Sequence, residues 1–190
     1  MRRRQRYAGL VDAPSPLPRL ASPRLTLLPA TLAEDRAYQA LWSRPEVRRF
    51  LFDDRDVSLA LAQDVLAAGA SLHGRGLGLW SLRRRDDDAF IGCVGLLPVT
   101  AMAQFAPELA GEIEVLVALA PEAWGRGYAV EALKAAIDHA FGTLDLRALC
   151  AALDVPNVAS HRALERVGFR CERECDGQLH RLRVYRLTRT

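Results

Sequence analysis

From Arg24 onward the apolar positions switch repeatedly between a two-residue period and a helical one. "RLTLL" alternates polar and apolar and predicts a first strand. Thr31 then opens "TLAEDRAYQALWS" with Glu34 three residues on, the sequence form of a capping box, and predicts a helix. Pro45 starts a short turn or helix in "RPEVRRFLFDDRD", and a further helix runs from about Ser58 to Ala68, ending near Gly69. "LGLWSLRRR" and "AFIGCVGLLPV" read as an antiparallel hairpin turned by Asp86, Asp87 and Asp88. After the loop "TAMAQFAPELA", the β-branched run "GEIEVLVAL" predicts another strand.

Beyond it, Val130, Leu133, Ile137, Ala140 and Phe141 recur at helical spacing, with Glu131, Lys134 and Asp138 on the other side. A strand "LRALCAAL", a short helix from about Asn157 to Arg166, and the strands "FRCERE" and "HRLRVYRLT" complete the chain. The pattern predicts an α+β fold: one mixed, mostly antiparallel twisted sheet of about seven strands flanked by helices, with no internal repeat.

Residues 1–22 hold three prolines and many arginines without apolar period, so a flexible arm is expected there, followed by one domain over 23–190. Half of the residues are hydrophobic and 26% charged, enough to bury a core. No apolar run approaches the ~20 residues that cross a bilayer, and the basic start lacks the apolar segment of a secretory signal. A soluble, cytoplasmic protein without a membrane partner is expected. The net charge of +3 is too small to mark a nucleic-acid partner. Cys93, Cys150, Cys171 and Cys175 form no CxxC pair, and His139 and His161 show no ligand spacing, so no metal is expected.

The chemistry concentrates in "PEAWGRGYAVEAL", where Gly125 and Gly127 stand between a strand and a helix. A helix mouth exposes unpaired N–H groups and a positive dipole end, and glycine lets a phosphate approach the backbone. A tight turn is the plainer reading of the two glycines. Among anion sites, a Walker loop would need Lys and then Ser or Thr behind the last glycine, and neither is present. A dinucleotide fold would need more βαβ units than the 63 residues (190 − 127) after Gly127 contain, and its third glycine position is Val130.

The pyrophosphate of coenzyme A remains. "EAWGRG" resembles the Q/R-x-x-G-x-G/A signature of the GNAT superfamily of N-acetyltransferases, with Glu122 at the Q/R place. Trp124, Gly125, Gly127, Ala129, Glu131 and Ala132 resemble the W-G-x-G-x-A-x-E-A block of its ribosomal-protein N-terminal acetyltransferase (Rim-type) branch. "NVASHRALERVGF" is similar to a second family block, N-x-x-S-x-x-x-x-E-K/R-x-G-F, through Asn157, Ser160, Glu165, Arg166, Gly168 and Phe169. The resemblance spans roughly Arg24 to Thr188.

The resemblance implies acetyl-CoA as co-substrate, splayed central strands, and a primary amine as acceptor, either a protein N-terminus or a small molecule, in a monomer or homodimer. It places the pantetheine arm on the backbone of Val117, Ala118 and Leu119, the diphosphate on Trp124, Gly125, Arg126, Gly127, Tyr128 and Ala129, and a pantetheine amide on Asn157. Acetyl transfer to an amine also needs a base, an oxyanion donor and a proton for the departing thiolate. Glu112 and Glu114 share one strand face, and the family's E-I-G favours Glu112 as base. The usual Tyr acid is replaced by Leu164, and Ser160 resembles the branch's substitute, although Ser in a first helical turn also commonly bonds backbone N–H groups. Without the Tyr, a coenzyme-A-binding domain that has lost turnover is the alternative.

Overall fold

Backbone pairing gathers the strand-like runs into one sheet in the computed structural model, which describes residues 17–189. The strands are β1 (Leu20–Ala21), β2 (Leu25–Pro29), β3 (Gly78–Arg84), β4 (Phe90–Pro98), β5 (Ile113–Leu119), β6 (Ala148–Asp154), β7 (Arg170–Asp176) and β8 (Arg181–Thr188). The helices are α1 (Asp35–Trp42), α2 (Pro45–Leu51), α3 (Leu59–Ser71), α4 (Tyr128–Gly142) and α5 (Val158–Arg166). Spatial order is β1-β2-β3-β4-β5-β6-β8-β7. Every pairing is antiparallel except that of β5 with β6.

Alternation along β5 divides the core. Ile113, Val115 and Leu119 pack with Leu133, Ala136 and Ile137 of α4, while Leu116 and Ala118 join Tyr38, Trp42 and Leu66 under α1 and α3. A smaller cluster of Val99, Ala106, Leu109, Cys150 and Val184 seals the loop before β5 against β6 and β8. Glu34 closes the capping box by accepting the Thr31 N–H at 3.2 Å. It also accepts from Ser81 at 2.9 Å, which receives the buried Tyr38 hydroxyl at 3.0 Å, so the cap ties α1 to β3.

Two expectations need correction. The arm was expected to reach residue 22, yet β1 pairs with β2, Leu17 is buried, and the Pro18 carbonyl accepts the Trp80 indole N–H at 2.8 Å. A two-residue strand has no period to read, so it escapes pattern analysis; residues 1–16 of the arm lie outside the described residues. Helix α3 does not stop near Gly69 but runs through it to Ser71. A Cβ there would already touch Leu79 at 3.5 Å, so the glycine serves close packing of α3 on β3 rather than termination. Among the described residues no helix is long and apolar enough to cross a membrane.

Candidate active site

Strand β5 pairs with β4 along its whole length, from Pro98 opposite Ile113 to Gly92 opposite Leu119. β6 pairs equally fully with β8. Between β5 and β6 the ladder holds only at Glu114 opposite Cys150. Past that pair the two strands part, leaving a gap that opens toward their C-terminal ends.

Backbone N–H and C=O groups face alternate sides along a strand. A Cβ on Gly92 would overlap the Ala118 carbonyl, so the backbone of Ala118 faces β4. That of Val117 and Leu119 therefore faces the gap. The Leu119 carbonyl accepts the indole N–H of Trp124 at 2.8 Å, and the Trp124 ring itself stays 47% exposed at the mouth of the gap.

After a short 3-10 turn at Pro121–Ala123, Gly125 and Gly127 adopt φ of +71° and +81°. These left-handed conformations are readily available to glycine and strained for most residues. Gly127 is the N-cap of α4, and no side chain caps the helix. A Cβ at Gly125 would meet no atom within 4 Å, and one at Gly127 only the Arg24 guanidinium at 3.6 Å. The first-turn amides of Tyr128, Ala129 and Val130 thus point into open space, with the positive end of a 15-residue helix behind them.

Glu131 braces this mouth. Its carboxylate accepts from Ser22 Oγ at 2.7 Å, from the Arg24 N–H at 2.6 Å and from Arg24 Nε at 2.8 Å. The Arg24 guanidinium also donates to the Arg126 carbonyl at 3.1 Å and lies 4.6 Å from the Tyr128 ring centroid. Burial pushes the Glu131 carboxyl up, but the Ser22 and Arg24 donors outweigh it and hold it below the ordinary range. Along the sequence Glu131 stands on the polar side of the helix and in the W-G-x-G-x-A-x-E-A block, and nothing in the spacing of two residues 107 apart announces its contact with Arg24. Glu122, where the signature has Gln or Arg, pairs with Arg44 of the α1–α2 junction at 2.6 Å. Arg126 and Arg162 are both exposed.

On the other lip, Asn157 is the N-cap of α5, and its Oδ1 accepts the Ser160 N–H at 3.4 Å. Ser160 sits half-buried in the first turn. Leu164 is 4% exposed and belongs to the main core, so the position of the family's Tyr is filled by packing. His139 and His161 bond backbone carbonyls, Gly76 at 2.9 Å and Asp154 at 3.1 Å respectively. Trp42 and Trp80 are buried in the core. Among the described residues no group of three His, Cys, Asp or Glu is placed to hold a metal ion.

Glu112, just before β5, and Glu114, within it, differ sharply. Glu112, favoured from sequence as the base, is ion-paired with Arg186 of β8 at 2.6 Å, and Arg186 also holds Glu172 at 3.0 Å. The guanidinium occupies the Glu112 carboxylate, which is therefore not free to meet a substrate amine. Glu114 stands at the vertex of the gap, half-buried, with Leu97 of β4 and Cys150 of β6 beside it. Burial alone pushes its carboxyl up to about 7. The Cys150 thiol is pushed up to about 12 by burial and by the neighbouring Glu112 and Glu114, so it stays protonated.

The family profile "Acetyltransferase (GNAT) domain" matches residues 24–170. The uncharacterized N-acetyltransferase YoaA of Bacillus subtilis (strain 168) is 28% identical over 156 residues, which cover 82% of this chain and 84% of YoaA. Two solved structures share the fold. One is the acetyl transferase from Salmonella typhimurium that modifies the N-terminal serine of 50S ribosomal subunit protein L7/L12, at 18% identity and TM-score 0.71 over 89% of this chain and 97% of that one. The other is spermidine N-acetyltransferase from Vibrio cholerae in complex with CoA and spermine, at 18% identity and TM-score 0.69 over 87% of this chain and 95% of that one. A glycine-built helix mouth opening beside two parted strands, inside a profile match over most of the chain, leads to one assignment: the chain belongs to the GNAT acetyltransferase family and is an N-acetyltransferase whose acyl donor is acetyl-CoA.

Proposed function

We propose that the chain acetylates a primary amine, on a protein N-terminus or a small molecule, by direct transfer in a ternary complex with acetyl-CoA. The donor supplies the acetyl group as an activated thioester. Open space over Gly125 and Gly127 fits a diphosphate at the α4 mouth, where the backbone from Trp124 to Ala129 donates and Arg126 reaches phosphate oxygens. The gap-facing backbone of Val117 and Leu119 binds the pantetheine arm and directs an N–H at the acyl oxygen, where preorganised donors matter most. Asn157 holds a pantetheine amide, and the Ser160 hydroxyl gives a proton to the leaving sulfur.

Glu114, rather than Glu112, takes the proton of the amine. A carboxylate raised to about 7 can accept a proton at neutral pH and still leave mostly ionised enzyme above it. The W-G-x-G-x-A-x-E-A block supports the Rim-type branch, which makes a protein N-terminal amine the first acceptor to try. With a pKa near 8, such an amine is already partly neutral, so one carboxylate suffices where a lysine near 10.4 would need more help.

The observation that carries this reading is the ladder that ends at Glu114 and Cys150 beside an uncapped glycine mouth. Its test is thiol release from acetyl-CoA with peptides bearing free N-termini and with polyamines, both substrates varied. Intersecting double-reciprocal lines are expected with at least one acceptor. Parallel lines would replace direct transfer by an acyl-enzyme, and no release with any amine would remove the acceptor class.

A further inference from the structure

The residues Glu114, Cys150, Arg186 and Arg170 lie in one register line across β5, β6, β8 and β7. Direct cross-strand partners share a face, and adjacent strands are about 4.8 Å apart, so the Cα atoms of Glu114 and Arg186 are about 10 Å apart. An arginine side chain spans most of that distance. Arg186 does lean over β6, yet it ends on Glu112, two residues short of Glu114 on the same face, while its Nε is held by Glu172 at 3.0 Å.

We propose that Glu112 is a positioning residue that captures Arg186 across β6 and so keeps the guanidinium away from Glu114. The inference rests on Glu114 being the base, and it explains how a base can stay unpaired with a cation in the adjoining strands. The other cations of the neighbouring elements are paired, stacked or turned to solvent. Arg173 of β7 pairs with Glu108 of the loop before β5. On α2, Arg48 pairs with Asp54 and Asp56, and Arg49 stacks 5.0 Å from the Phe50 ring centroid. Arg44 is taken by Glu122, and Arg170 is exposed at the outer strand. Leu97 of β4 and the Cys150 thiol complete the apolar wall. Arg186 is therefore the cation that a loss of Glu112 would release toward Glu114.

The test follows the side-chain carboxyl carbon of Glu114 by NMR in protein labelled with carbon-13 glutamate, without acetyl-CoA, its signal identified by its loss in Glu114→Gln. In the unaltered protein the midpoint is expected near 7. Glu112→Gln should lower it by about one to three pH units, the usual effect of a cation moving within reach of a carboxylate. Adding Arg186→Met to Glu112→Gln should bring it back. The acidic limb of kcat/KM should move the same way, whereas loss of a merely structural contact would lower activity equally at every pH. A midpoint unmoved by Glu112→Gln, or still lowered in the double variant, overturns the inference. An ordinary carboxylate midpoint in the unaltered protein sinks the base reading itself, a distinguishable result. Should Glu112→Gln fail to fold, Arg186→Met alone decides: it frees the Glu112 charge and should raise the midpoint, and no change or a fall overturns the inference.

Discussion

Glu114 of β5 faces Cys150 of β6 at the one position where those two strands pair, so the most perturbed carboxyl of the gap sits at its vertex. Its elevation is a statement about stability as well as chemistry. Folding raises this group from 4.5 to about 7, so its favourable contribution is complete below pH 4.5 and is lost as pH rises through 7. Glu114→Gln is therefore expected to melt higher than the unaltered protein at pH 8, by up to about 3 kcal/mol, and the two should converge at pH 4. The same variant should lose about 100-fold or more in kcat/KM. Thermal melts across pH with matched kinetics check both; a variant less stable at pH 8 would contradict the burial of an unpaired carboxyl.

Gly127→Asp puts a carboxylate where the α4 amides point. The left-handed φ of +81° costs an aspartate only about 1 kcal/mol, so the fold should survive. Acetyl-CoA affinity measured by calorimetry should drop by about 100-fold or more. Unchanged affinity would remove the diphosphate from this mouth.

Glu131→Ala removes three hydrogen bonds that join Ser22 and Arg24 to the first turn of α4. A loss of about 1 to 3 kcal/mol is expected, read as a melting temperature lower by several degrees. KM for acetyl-CoA should rise more than kcat falls, because the brace positions the mouth and does not touch the reacting atoms. Equal effects on both parameters would assign Glu131 a different part.

Of the three tryptophans, Trp42 and Trp80 are buried and only Trp124 is half-exposed, at the mouth of the gap. Acetyl-CoA should change the indole emission, and Trp124→Phe should abolish the change. A signal that persists in that variant would place the ligand elsewhere.

Much of this arrangement was legible in the chain. The β-branched, apolar run of "GEIEVLVAL", the glycines after it and the helical spacing of Val130 to Ile137 define β5, the mouth and α4, because each signal is local and continuous. What the sequence hid has a physical pattern. A two-residue period puts Glu112 and Glu114 on one face and cannot say which is paired; the partner that separates them, Arg186, is 74 residues away. The Glu131 brace depends in the same way on residues 22 and 24, at the edge of a segment whose prolines suggested no structure. Gly69 carried a stop signal by type, while its actual use is contact with β3.

Single-residue amide hydrogen exchange, followed by NMR with and without saturating acetyl-CoA, tests the gap and the mouth together. The amides of Val117 and Leu119 on β5, and of Tyr128, Ala129 and Val130 on α4, are expected to slow on binding, while that of Ala118, already turned to β4, stays as it was. Saturated protein in which those five amides exchange at their unliganded rates would contradict the account.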